Sequence, residues 1–189
     1  MVTAAVIAML LTACTSGPGS RAPARPAGVA TSSAAPAAES ALPCDSFIGT
    51  IARVAPLPVV LGVVALQASP GSPALQTALS GDRNGPLRLF AKTALLVRPG
   101  TTFELIVPGQ FTSRLSIGWG APGLPSHRVL VSNCASTGGG WLVYAGGFWI
   151  DHPACVPIIV RAGGQQQQVN IGVGTACPGQ RPPQGPSQA

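Results

Sequence analysis

Apolar and polar residues alternate along most of the chain between residues 44 and 177. Leu87, Leu89, Ala91, Thr93, Leu95 and Val97 share one parity, with Arg88 and Lys92 on the other. After a turn at Arg98-Pro99-Gly100, Phe103, Leu105 and Val107 alternate with Thr102 and Glu104. A period of two is the mark of a half-buried strand, so these two runs read as a hairpin. Leu115, Ile117 and Trp119 repeat the pattern, as do Val129 and Val131. Val156, Ile158 and Val160 then face Val169, Ile171 and Val173 across a turn at Gly163-Gly164. Phe47–Val54 and Val59–Gln67 add two apolar runs, and the second is so nearly continuous that it predicts a central strand. Pro73–Ser80 is the one segment with a helical reading. Eight or nine short strands with frequent turn signals predict an all-β antiparallel sandwich of immunoglobulin-like or related Greek-key order, with a small closed barrel as the alternative.

Composition sharpens this picture. Charged residues make up 8% of the 189 positions, while 24 glycines and 20 prolines supply turns. Long solvated helices need charged outer faces, and few such residues are present. Two flanks lack core-forming residues. Of the 29 positions from 15 to 43, 24 are Ala, Pro, Ser, Gly or Thr. Such a segment cannot bury enough surface to offset its ordering entropy, so it reads as a disordered tether. Pro178–Ala189 reads as a disordered tail. The domain is therefore expected over residues 44–177.

Ahead of the tether, Met1–Ala13 is apolar and uncharged. It is too short to span a bilayer and has the length of a signal-peptide core. Leu11-Thr12-Ala13-Cys14 resembles the lipobox of bacterial lipoproteins, in which the cysteine is acylated and begins the mature chain. No Lys or Arg precedes the apolar run, so the charge a signal carries there comes either from the free amino terminus or from residues upstream of Met1. Together with the Ala/Pro tether and the pattern Gly-Gly-Phe-Trp…Pro-Ala-Cys-Val-Pro…Gly-Val-Gly-Thr-Ala-Cys, the lipobox makes the chain resemble small exported lipoproteins of actinobacteria. The resemblance implies a lipid anchor at Cys14 on the extracytoplasmic face of the cell membrane. It carries over no other functional residue.

With Cys14 assigned to lipid, Cys44, Cys134, Cys155 and Cys177 remain, an even set in an exported chain. Of the three possible connectivities, Cys134–Cys155 with Cys44–Cys177 is expected: the first closes a local segment, and the second joins the two ends of the domain. The spacings are too wide for a metal site, and no cofactor is expected.

Residues able to do chemistry are few: Asp45, Asp82, Glu104, Asp151, His127 and His152. Neighbours on a strand point to opposite faces, so Asp151 and His152 are not expected to orient one another as a catalytic triad requires. The chain is read as no enzyme. Trp141, Tyr144, Phe148 and Trp149 gather four of the nine aromatic residues within nine positions. Parity sends Trp141 and Phe148 inward, and a bulge is expected at Gly146-Gly147. Tyr144 and Trp149 are then left as exposed rings for stacking on a sugar or another small ligand. The eight basic residues of the domain are scattered along the sequence with no dense cluster, which argues against nucleic-acid binding. Two functions compete: a tethered structural or protein-interaction domain with an envelope partner, and a binding module for wall glycan or a small ligand through Tyr144 and Trp149.

Overall fold

The computed structural model describes residues 37–184, apart from Arg83 and Thr137. The segment read as a signal peptide, Cys14, the expected tether as far as residue 36 and the last five residues of the expected tail lie outside the described residues. Twelve strands form among the described residues, and the only helical segment among them is a single 3-10 turn at Gly109–Phe111. In chain order the strands are β1 (Ser40–Ala41), β2 (Gly49–Ile51), β3 (Val59–Val60), β4 (Val64–Ala65), β5 (Ala78–Leu79) and β6 (Leu89–Val97). Then follow β7 (Thr102–Ile106), β8 (Leu115–Trp119), β9 (Arg128–Ser132), β10 (Trp141–Ile150), β11 (Ala154–Ala162) and β12 (Gln165–Val173).

They build two sheets that sandwich one core, and among the described residues neither sheet closes into a barrel. The five-stranded sheet runs β1-β9-β7-β11-β12, and the seven-stranded sheet is centred on the antiparallel pair β6 and β10. The second edge of β10 is shared by β2 and β8, and that of β6 by β4 and β5. The inward parities read from the sequence hold in β6 through β9. Ala91, Leu95, Phe103, Leu105, Leu115, Ile117, Val129 and Val131 are all buried. Hydrophobic burial of this core is the main stabilising term, at roughly 1.5–3 kcal/mol for each large side chain.

The β11–β12 hairpin forms where the alternation places it. Ala162 faces Gln165 across a two-residue loop, with Gly163 and Gly164 at φ 54° and 76°. Positive φ at both loop positions is what a tight type I′ turn demands, and glycine adopts it without strain.

Several local expectations fail, each for a physical reason. β6 and β7 do not form a hairpin, because the Pro99-Gly100 turn carries the chain from one sheet to the other. From β6 to β11 every successive strand changes sheet. Val59–Gln67 is no central strand. Leu61 and Gly62 adopt φ 47° and 72° and fold it into the two-residue strands β3 and β4, with β3 on the sheet edge. Pro73–Ser80 forms no helix. Its backbone is drawn to strand edges, where Leu75 donates to the Gly172 carbonyl at 2.7 Å and Ala78 pairs with Phe90. The last residues assigned to the tether also join the sandwich. β1 runs parallel to β9, Leu42 is buried, and the Leu42 amide donates to the Leu130 carbonyl at 2.8 Å. Part of the tail packs too: Gln180 is buried, and its Oε1 accepts from the Cys177 amide at 3.1 Å.

The disulfides are Cys44–Cys134 and Cys155–Cys177, which corrects the expected pairing. The parallel ladder explains the first. Ser40 lies beside Val129 and Ala41 beside Leu130, so the two chains leave the sheet side by side and bring Cys44 to Cys134. For the second, Cys155 faces Gly172 across the β11–β12 ladder. The chain turns back beyond Gly174 so closely that a β-carbon on Gly172 would lie 2.5 Å from the Thr175 carbonyl oxygen. That return delivers Cys177 to Cys155.

The sequence separations are 90 and 22 residues. Loop entropy then assigns roughly 4.5 kcal/mol to Cys44–Cys134 and roughly 3.5 kcal/mol to Cys155–Cys177. Replacing Cys44 and Cys134 together by serine is expected to lower the melting temperature more than replacing Cys155 and Cys177. Thermal denaturation followed by circular dichroism checks the order, and non-reducing peptide mapping checks the pairing.

Candidate functional site

Strand β10 carries the aromatic cluster, and its register decides which rings meet solvent. It pairs with β6 without interruption from Leu142 opposite Val97 to Ile150 opposite Leu89. The bulge expected at Gly146-Gly147 is therefore absent. Both glycines serve close approach instead: a β-carbon on Gly147 would lie 2.0 Å from the Ala91 carbonyl oxygen, and one on Gly146 would lie 2.2 Å from that of Gly118. With no extra residue in the strand, parity is never reset. Leu142, Tyr144, Phe148 and Ile150 face the core, while Trp141, Val143 and Trp149 face outward and are half-buried.

Tyr144 is thus not a surface ring, which corrects the expected pair. It is fully buried, its hydroxyl donates to the Cys44 carbonyl at 3.2 Å, and Phe47 meets it edge-on. Burial pushes the hydroxyl above its ordinary value, and the charge of Asp45 pushes in the same direction. Trp149 does lie on the outer face. Its ring is 4.7 Å from that of Phe90, its cross-strand partner. Trp141, expected inside, lies on this outer face as well, with the Arg98 guanidinium 5.2 Å above its ring.

The same parity gathers cations that are dispersed in the sequence. Lys92 stands opposite Gly147 on the outward side of β6, and Arg88 and Arg98 continue that parity just beyond its two ends. All three are exposed. Among the described residues, no carboxylate lies within ion-pair distance of any of them. The outer face also carries exposed Val59, opposite Ala65, and exposed Ile51, opposite Trp141. The result is an apolar sheet face with three cations along one strand. Alternation in β6 contained this signal, because Arg88, Lys92 and Arg98 are all even-numbered.

Three acidic residues pair with other cations. Glu104 of β7 pairs with Arg161 of β11 at 3.4 Å, and Glu39 pairs with Arg128 of β9 at 3.4 Å, both on the five-stranded sheet. Asp151 and His152 do touch, contrary to expectation: His152 Nδ1 lies 2.9 Å from Asp151 Oδ1. They sit in the bend after β10, where strand alternation no longer separates neighbours. The other imidazole nitrogen faces the Arg114 guanidinium, which also lies 3.5 Å from Asp151 Oδ1. The ring nitrogen that a triad would present to a nucleophile is thus turned to a cation. The cluster braces the start of β8 against the β10–β11 bend, since the Asp151 amide also donates to the Arg114 carbonyl. His127 and Asp82 stand apart from it, Asp82 capping its own loop by accepting from the Gly85 amide at 2.9 Å.

Comparison with protein-family models, curated proteins and solved structures returns no match.

Tyr144 gives a stability test with a defined sign. Its pKa is raised in the folded state, so the folded protein holds the proton at pH values where the unfolded chain has released it. That contribution is complete below the unfolded value near 10 and is lost as pH rises through the folded value. Tyr144→Phe is expected to cost about 1 kcal/mol at neutral pH through the lost hydrogen bond, and to flatten the alkaline fall in stability. Urea denaturation at neutral and alkaline pH measures both.

Proposed function

We propose that this chain is an exported lipoprotein, anchored through lipid on Cys14 to the extracytoplasmic face of the cell membrane, whose sandwich acts by binding and not by catalysis. The observation that carries the binding role is the outward face of the seven-stranded sheet, where half-buried aromatic rings and three exposed cations occupy one surface. Export is supported by the two disulfides, which persist in oxidising compartments. The non-catalytic role is supported by the engagement of Glu39, Glu104 and Asp151 with arginines, which leaves each of these carboxylates already paired. A second reading, a wall-glycan or small-ligand module, rests on the half-exposed indole of Trp149 beside Phe90.

Cys14→Ala is expected to move the protein out of the membrane fraction or to stop its maturation, and to abolish labelling by a fatty-acid analogue. Fractionation and metabolic labelling measure these outcomes. Unchanged membrane retention with an unlabelled wild type would remove the lipoprotein reading.

A further inference from the structure

We infer that the outward face of the seven-stranded sheet docks on an anionic lipid surface. The inference deepens the binding role given to this face. It does not depend on the lipid at Cys14, which fractionation tests separately.

The argument starts from charge segregation. The chain has five acidic residues, and none lies in a strand of the seven-stranded sheet. Two of them neutralise arginines of the five-stranded sheet, and a third neutralises Arg114. Arg88, Lys92 and Arg98 keep their charge along β6, over about 30 Å at the usual rise per residue. A strip of uncompensated cations attracts an extended anionic partner, because each charge adds only a modest attraction and all must be satisfied together.

The residues between the cations select lipid among anionic partners. Phe90 and Ala94 separate them on β6, and Trp141, Val143 and Trp149 lie on the same side of β10, whereas Leu96 and its neighbour Ala65 are buried. Indole rings favour the level of lipid headgroups, where an apolar body and a polar edge are both accommodated. Trp141 and Trp149 lie at or near the two ends of the strand and are both half-buried on its outward side. Val59 and Ile51 extend the same side as exposed aliphatic groups. The geometry is reachable from the proposed anchor: 22 residues lie between Cys14 and Ala37, a contour of up to about 75 Å.

The test uses the full chain carrying Cys14→Ala, so that no lipid can be attached. Sedimentation with phosphatidylcholine vesicles is compared with sedimentation with vesicles that also contain phosphatidylglycerol. The leading apolar segment is common to all variants, so the readout is the gain produced by the anionic lipid. That gain is expected to be lost at high salt. Replacing Arg88, Lys92 and Arg98 together by glutamine is expected to reduce it by about two orders of magnitude, at roughly fivefold per cation. Replacing Arg114, Arg128 and Arg161 by glutamine alters net charge equally and is expected to retain most of the gain. Brominated phosphatidylglycerol should quench Trp141 and Trp149 but spare core Trp119, a comparison that uses Trp→Phe variants and needs no charge change. Any of these vesicle results would overturn the inference: no gain from anionic lipid, an equal loss in both triple variants, or quenching that ignores the outer tryptophans. Sedimentation on purified wall polymer without vesicle binding would assign the face to a glycan instead, and would overturn it too.

Discussion

The pairing of β10 with β6 constrains the rest of the molecule. These two strands are longer than any others in their sheet, so each must divide its second edge between two short strands. An unbroken register along the pair keeps Leu142, Tyr144, Phe148 and Ile150 on the core side over the whole length of β10. Slipping by one residue would expose all four and bury Trp141 and Trp149 in their place. The glycine pair at 146–147 makes the unbroken register possible, because a β-carbon at either position would strike a neighbouring carbonyl. Core composition and surface chemistry are thus two results of one hydrogen-bonded ladder.

What could be read from the sequence was local. The period of two in β6 through β9 and the β11–β12 hairpin depend on neighbours in the chain, and both signals were plain. The disulfide pairing was not readable, because it follows from β1 lying parallel to β9, some ninety residues away. Parallel neighbours leave no turn signal, and strands that change sheet at every step defeat the assumption that adjacent segments pair. The aromatic site failed in a narrower way. Reading Gly146-Gly147 as a bulge reversed parity within β10 and sent Tyr144 outward and Trp141 inward. Glycine in a strand marks either a bulge or a close backbone approach, and the sequence does not separate the two.

The shared side of the cations went unnoticed for a related reason. Along the chain Arg88, Lys92 and Arg98 lie four and six residues apart, which does not resemble a basic patch. Even spacing on one strand nevertheless places them on one side of the sheet. A linear count of charge density is suited to helices and tails, where near neighbours in sequence share a surface. On a strand the count has to be taken by parity.

Counting by parity also explains why the two outer faces differ. On the five-stranded sheet, Glu104 sits directly opposite Arg161, so the charge is neutralised within the ladder. An exposed pair of that kind contributes little stability, about 0–1 kcal/mol, but it cancels the local field. On β6 the position opposite Lys92 is Gly147, which must be glycine for the strands to approach and so cannot carry an acid. Arg98 is opposite Trp141 and shares its charge with a ring rather than a carboxylate. Close packing of the central pair therefore excludes an acid opposite Lys92, and the Trp141 ring stands in the place of one opposite Arg98, so the positive field along this stretch follows from the way the sheet is built.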